Sequence, residues 1–237
     1  MLIDPSELNH NLDRLEEIEK ASLRLVTQAV YEYRDATLEI FREEGDLVAD
    51  IGEDVTREAL DRLGMSKIDQ RLFGKVDYKR ARYLFHPEYA IKQALFVDSK
   101  AEKVSGAGTA TLQISQLSMT VRQIRSGRKI NEPGKLPQVL LLKGERYITT
   151  TLFVKYNYDD TSTSHELKSI TIAALPNGML QAKYNPGVDH TIWIAGRNAP
   201  TRGEEFRVRL SFSRLKNLAK WRVQNIPIPP HVFVWDE

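Results

Sequence analysis

An apolar run that ends abruptly in charged residues is the feature of this sequence that most limits its fold. Ala94 to Val97 has the composition of a buried strand, and it leads directly into Asp98-Ser99-Lys100. Because side chains on a strand alternate between its two faces, we expect Asp98 and Lys100 to project from the same face. Buried charge without a partner is unfavourable, so this pattern is more typical of a functional site at a sheet end than of a structural core.

A second acid stands in a similar setting earlier in the chain. Asp77 follows Val76 on another candidate strand, residues 73–79, and the two strands could pair as a hairpin around a loop that contains His86. Two carboxylates and a lysine at one sheet end can hold a divalent cation and stabilise a phosphoryl transition state. Solvated surface charges are the alternative, and the residues alone leave both interpretations open.

The distribution of charge favours a polyanionic partner. The formal net charge is only +2, but residues 1–62 carry −10 and residues 63–237 carry +12. A basic surface attracts nucleic acid, although the acidic helices could simply complement a basic core. The absence of cysteine excludes disulfides and thiolate metal sites. We find neither a signal peptide nor a segment long enough to span a membrane, and we therefore expect a cytoplasmic protein.

Hydrophobic periodicity predicts a helical N-terminal part. Apolar residues recur at steps of three or four from about residue 6 to residue 44, which predicts one long amphipathic helix, straight or kinked, that ends at Gly45. A second helix is predicted over residues 50–63, followed by Gly64. The glutamine-rich segment 109–126 is also predicted to be helical. The long N-terminal helix could serve dimerisation or pack on its own domain.

The remainder of the chain favours strands. Segments rich in Val, Ile, Thr and aromatic residues predict strands over 139–142, 147–158, 167–175 and 205–213. With the helices they predict an α/β fold, a mixed central β-sheet flanked by helices. We expect a single domain over residues 1–237, with a helical part (1–63), a part with the candidate site strands and a helix (64–130) and a part with the rest of the sheet (131–237).

The last predicted strand has a basic outer face. Apolar residues at 206, 208, 210 and 212 alternate with Arg207, Arg209 and two serines, and Arg197 and Arg202 precede them. The guanidinium group matches O6 and N7 of guanine in the major groove of DNA. A solvated strand face and contacts with phosphates are the alternatives that the residues leave open.

One short motif and six longer segments carry a resemblance to a known family. Val76-Asp77 followed by Asp98-Ser99-Lys100 resembles the PD-(D/E)xK nuclease signature, with valine in place of the proline. The longer segments are DYKR at 77–80, LFVDSKA at 95–101, TLQISQL at 111–117, ELKSI at 166–170, KYNP at 183–186 and PTRGE at 200–204. In order and content they resemble the SfiI family of type II restriction endonucleases, with BglI as a more distant relative.

The resemblance implies a role for each candidate residue. Asp77 and Asp98 would coordinate Mg²⁺, Lys100 would contact the scissile phosphate or orient water, and Glu53 would complete the catalytic site. Glu53 could equally be an acid favoured in the first turn of a helix. Base readers are expected at Arg207 and Arg209, with Arg197 and Arg202 nearby.

The resemblance also implies a substrate and partners. The substrate would be double-stranded DNA, cut at a GC-rich interrupted palindrome to leave 5′-phosphate and 3′-hydroxyl ends. The protein would be a prokaryotic homodimer or homotetramer with a cognate DNA methyltransferase in the same cell. A non-catalytic DNA-binding protein and a repair or RNA nuclease with the same site are the rival hypotheses.

Overall fold

The computed structural model of the protein describes residues 2–43, 48–64, 82–106, 108–161, 164–194 and 206–237. The N-terminal part is helical, as predicted. A 3-10 turn, Pro5–His10, precedes α1 (Leu12–Glu32) and α2 (Arg34–Glu43). The helix is not continuous, because the first turn is 3-10 and Tyr33 leaves helical geometry, with φ −89° and ψ 1°. Gly45, the predicted end, lies outside the described residues.

The second predicted helix is confirmed with small shifts at its ends. α3 spans Val48–Asp61, and Gly64 follows it with a φ of +68°. Glycine reaches this left-handed conformation without the steric strain that a Cβ would introduce. No helix in the described ranges combines the length and the apolar character needed to cross a bilayer.

The main sheet is mixed, as predicted. Its strands are β1 (Arg82–His86), β2 (Ile91–Lys103), β6 (Val139–Leu142), β7 (Glu145–Asp160), β8 (His165–Leu175) and β11 (Val223–Pro227). The order is β1-β2-β7-β8-β11, and β6 pairs with β7. β2 and β7 are parallel, from Gln93 opposite Ile148 to Lys103 opposite Tyr158. The other pairings in this sheet are antiparallel.

The hairpin next to the candidate site differs from the predicted one in its first strand. β1, the described strand that pairs with β2, begins at Arg82, and the turn that joins them contains Pro87 and Glu88. The predicted strand over 73–79 lies outside the described residues. β2 itself is longer than the predicted segment and extends three residues past Lys100.

The predicted helix over 109–126 is wrong. This stretch contains β3 (Thr109–Gln113), a 3-10 turn over Ile114–Gln116, and β4 (Val121–Arg125). β4 forms a hairpin with β5 (Arg128–Glu132). Alternate residues of β3 are buried, and the strand pairs with a partner about a hundred residues further on, so long-range pairing outweighs local helical preference.

A separate sheet contains three strands, one of which is the predicted basic strand. Its order is β3-β10-β9, where β9 is Trp193–Ile194 and β10 is Arg207–Ser211. β10 is shorter than the predicted strand because α5 begins at Phe212 and ends at Leu218. The short helix α4 (Gln181–Tyr184) and the strand β11 were not predicted.

Two large apolar clusters lie on the main sheet. In one, Val55, Ala59 and Leu60 of α3 pack with Leu95 of β2 and Tyr156 of β7. The other joins the main sheet to the three-stranded sheet and includes Phe153, Val208 and Leu210. The first cluster thus packs α3 against β2 and β7, and the second packs the three-stranded sheet against the main sheet.

Candidate functional site

The C-terminal half of β2 carries three charged residues on one face. Asp98, Lys100 and Glu102 alternate with Ser99 and Ala101, and the charged residues are partly exposed while the intervening two are buried. This arrangement confirms that Asp98 and Lys100 share a face of the strand. The parallel pairing with β7 places Phe153 opposite Asp98 and Lys155 opposite Lys100. The site is therefore built across the two central strands.

Glu102 links the two lysines of this site. One carboxylate oxygen, Oε1, lies 3.1 Å from Lys100 Nζ, and Oε2 lies 2.6 Å from Lys155 Nζ. Burial favours the protonated carboxyl, but the hydrogen bonds and charges of Lys155 and Lys100 hold the pKa of Glu102 below its usual value. Glu102 is therefore an anion at neutral pH, and it pairs with both ammonium groups.

Lys155 is a fully buried cation in the middle of β7. Its Nζ donates hydrogen bonds of 2.6 Å to the carbonyl oxygens of Gly106 and Thr109, in addition to its contact with Glu102. Burial lowers the pKa of Lys155, and Glu102 opposes that shift. The sequence analysis missed Glu102 and Lys155. The available signal was a lysine inside the strongly apolar segment Phe153-Val154-Lys155-Tyr156.

α3 crosses the back of the same strand at the level of Lys100. A Cβ built on Gly52 would lie 3.0 Å from Ala101 N, 3.2 Å from the carbonyl carbon of Lys100 and 3.3 Å from the ring of Tyr156. The hydroxyl of Thr56, one turn further on, lies 2.8 Å from that of Tyr156. Glu53 is an exposed residue next to this contact, so the helix brings it to the level of the site. Its participation stays a prediction.

The candidate metal ligands are only partly within the described residues. Asp77 lies outside them, and in the ranges that the structure describes no three His, Asp or Glu side chains form a metal-binding group. Asp98 is a partly exposed carboxylate beside the Lys100 position, and carboxylate oxygens are the ligands that Mg²⁺ prefers. The donor chemistry that is described therefore fits a hard divalent cation.

The basic strand β10 forms a polar face together with β3. Val208 and Leu210 are completely buried, whereas Arg207 and Arg209 are partly exposed, which confirms the predicted alternation. In the antiparallel register Arg207 lies opposite Gln113 and Arg209 opposite Thr111. β3 therefore adds a row of partly exposed polar residues to the arginine face. The sequence analysis missed this row because it predicted a helix over these residues.

Hydrogen bonds tie both arginines to neighbouring elements. Arg209 Nη2 donates to Thr109 Oγ1 at 3.0 Å. The carbonyl oxygen of Arg207 accepts a hydrogen bond of 2.9 Å from Arg125 Nη2, and the Arg125 guanidinium lies 4.7 Å from the ring centroid of Phe206. Arg197 and Arg202, the other two candidate base readers, lie outside the described residues.

The mixed sheet, its flanking helices and the Asp-x-Lys pair on a central strand together define a restriction endonuclease fold. The structure of tetrameric SfiI bound to cognate DNA matches with a TM-score of 0.82 and 32% identity, over 100% of this chain and 92% of that one. The structure of BglI bound to its DNA recognition sequence matches with a TM-score of 0.75 and 17% identity, over 94% of each chain, and supports the fold alone.

Sequence comparison identifies the family within this class. The sequence model of the family described as type II restriction enzyme SfiI matches residues 30–226. The type II restriction enzyme SfiI of Streptomyces fimbriatus is 35% identical over 232 residues, which cover 91% of this chain and 85% of the relative. The chain belongs to the SfiI family and is a type II restriction endonuclease. The resemblance proposed from the sequence is thereby confirmed.

Proposed function

We propose that this protein hydrolyses phosphodiester bonds of double-stranded DNA at a GC-rich interrupted palindrome, with Mg²⁺, and leaves 5′-phosphate and 3′-hydroxyl ends. The observation that carries the proposal is the placement of Asp98 and Lys100 on one face of β2 in a chain of the SfiI family. The similar structure of SfiI is bound to cognate DNA, which supports the substrate class.

Two carboxylates and a lysine would have different roles in this site. Asp98, with Asp77, would hold the Mg²⁺ ion, which when bound supplies a Lewis acid for the charge that develops on the phosphate. Lys100 would donate a hydrogen bond to a phosphate oxygen or orient the water that attacks phosphorus. The oxygen of water forms a bond to phosphorus as the P–O3′ bond breaks, the attacking water gives up a proton to solvent, and O3′ takes up a proton to leave as the 3′-hydroxyl. Glu53 is the candidate for a further acidic group at this site.

Recognition is assigned to the arginine face. Arg207 and Arg209 would contact base edges from β10, and Arg197 and Arg202 would act from the preceding segment. The strand presents its two arginines on one side, as a groove-binding β-element would. Because each site cuts one strand, a palindrome requires two protomers, and we propose a homodimer or homotetramer.

Digestion of sequenced DNA tests this function. With Mg²⁺ the protein should give discrete fragments whose ends share one interrupted palindrome, and EDTA should stop cleavage. Asp98→Asn should abolish cleavage while DNA binding remains, and Asp159→Asn, an exposed acid at the end of β7, should cut normally. Heterogeneous fragments would indicate a non-specific nuclease. No cleavage, with specific binding retained, would indicate the non-catalytic alternative.

The cellular setting follows from the same proposal. A site-specific nuclease in the cytoplasm of a prokaryotic cell would cut its host unless a cognate DNA methyltransferase modified the host's sites. Chromosomal DNA from the source cell should therefore resist the purified enzyme, while the same sequence amplified in vitro should be cut. Equal cleavage of both DNAs would remove the methyltransferase from the proposal.

A further inference from the structure

Lys155 carries a charge at a position where burial makes a charge unfavourable. It lies in the interior of the main sheet, and its side chain is completely shielded from solvent. Desolvation of an ammonium group is unfavourable unless close hydrogen bonds and an opposite charge replace the water. Here two carbonyl oxygens and the Glu102 carboxylate, each 2.6 Å from Nζ, provide that replacement.

The partner of this buried lysine is also the partner of Lys100. Glu102 uses its two carboxylate oxygens separately, with Oε2 on Lys155 and Oε1 on Lys100. Lys155 therefore fixes Glu102, and Glu102 in turn restrains the ammonium of Lys100. A free lysine has four flexible side-chain bonds, so a fixed counter-ion strongly narrows the region that its ammonium occupies.

The ammonium group of Lys155 also contacts residues outside the main sheet. Its carbonyl partners, Gly106 and Thr109, lie in the connection after β2 and at the start of β3. The side chain of Thr109 accepts the hydrogen bond from Arg209 of β10. Lys155 thus connects the site on β2 and β7 to the three-stranded sheet that carries the arginine face.

We propose that Glu102 and Lys155 are positioning residues that hold the Lys100 ammonium in place for its contact with the scissile phosphate. The inference rests on the proposed function, since it assigns Glu102 and Lys155 to the same phosphodiester hydrolysis. Neither residue needs to touch DNA. Their effect is to reduce the freedom of Lys100 before the substrate arrives, so that less ordering remains for the transition state.

The test compares Glu102→Gln with Glu145→Gln. Glutamine keeps the shape of glutamate but removes its charge. Glu145 is a matched control, because its ion pair with Lys92 also bridges β2 and β7 but lies at the opposite end of β2. For each variant we would measure the single-turnover cleavage rate at saturating DNA, DNA affinity without divalent metal, and the melting temperature.

We expect the variant Glu102→Gln to lower the cleavage rate without weakening DNA binding. Glu102→Gln should lower the cleavage rate by about 10- to 100-fold, the range typical of groups that orient a catalytic side chain. DNA affinity should stay close to that of Glu145→Gln. The melting temperature should fall further than in the control, because the buried Lys155 loses its counter-charge, so all rates are compared well below the melting temperature of both variants. A cleavage rate within about twofold of the control, or a rate loss matched by an equal loss of affinity, would overturn the inference.

A double variant distinguishes a positioning role of Glu102 from a direct catalytic role. In a Lys100→Ala background, Glu102→Gln should leave the residual cleavage rate unchanged within about twofold, because the group that it positions is gone. A further drop would assign Glu102 an independent role and contradict the proposal. If the wild-type protein cuts no DNA, the proposed function itself fails. If wild type and Glu145→Gln cut, and Glu102→Gln cuts equally well, only the positioning inference fails.

Discussion

Arg207 and Arg209 are the two residues that we propose to contact base edges of DNA. They lie two positions apart on β10, so both project from the polar face that β3 extends. Arg209 reaches back to Thr109, which fixes one end of its planar guanidinium. A guanidinium that is held in this way loses less conformational freedom when it binds a base edge.

Replacing either arginine should distinguish base reading from phosphate binding. If Arg207 or Arg209 reads a base, alanine at that position should weaken binding to cognate DNA by about 1–3 kcal/mol and leave random DNA almost unaffected. We expect this pattern for at least one of the two. Arg128→Ala, at an exposed position of the β4–β5 hairpin, is the control. Titrations on both DNAs at several salt concentrations provide the measurement.

The opposite outcome has an equally clear signature. If both arginines only neutralise phosphates, each alanine variant should lose affinity equally for cognate and random DNA. The slope of log K against log salt should then shrink by about one for each contact that is removed. Uniform losses of this kind in both variants would show that specificity resides in other residues, and Arg197 and Arg202 would be the next candidates.

At the scale of elements, the packing of α3 on β2 sets the distance between this helix and the strand that carries Asp98 and Lys100. Gly52 allows the helix to approach the backbone at Lys100 and Ala101 directly. Thr56 and Tyr156 then fix the helix through their hydroxyl groups. A Cβ at this position would make unusually tight contacts, so the close approach favours glycine, which the sequence signals only as a glycine within a predicted helix.

Gly52→Leu should move α3 away from β2. The atoms that a new side chain meets first belong to the strand backbone, which cannot rotate aside, so we expect a loss of about 1–3 kcal/mol of stability from overpacking. Asp54→Leu, on the exposed side of α3, should change stability by less than about 0.5 kcal/mol. Urea unfolding gives both values. Equal stability of the two variants would contradict the close packing.

At the scale of the whole molecule, a buried ion pair joins distant parts of the chain. Arg222, just before β11, and Glu19 of α1 are both fully buried and lie 2.6 Å apart. Glu19 also accepts a hydrogen bond of 2.8 Å from the backbone of Asn177, and Arg222 donates one of 2.6 Å to the hydroxyl of Tyr184. The network holds the N-terminal helix to the C-terminal strand of the sheet.

The assembly is the prediction that belongs to this scale. The interrupted palindrome that we propose as the substrate needs two copies of the chain if a two-fold symmetric protein reads it. Light scattering should therefore give a mass at least twice that of the 27.1 kDa chain. A mass of one chain, both for the free protein and for the complex with cleavable DNA, would contradict this expectation.

Patterns that are local in the chain allowed most elements to be predicted. The Val, Ile, Thr and aromatic content of β7 and β8, the alternation of β10 and the periodicity of α3 identify these elements, because strand preference and side-chain period are properties of residues that are close in the chain. The same argument placed Asp98 and Lys100 on one face of β2. The exact ends of elements, and the position of the break at Tyr33, depend on packing and were not predicted.

The sequence by itself determined the class of fold, the charged end of β2 and the basic face of β10, since each follows from residues next to one another in the chain. Only the tertiary structure decided that β3 is a strand, that β2 and β7 run parallel, and that Glu102 connects Lys100 to a buried Lys155. These features join residues that are far apart in the chain. Their energies come from pairing and burial in the folded molecule, which no local pattern encodes.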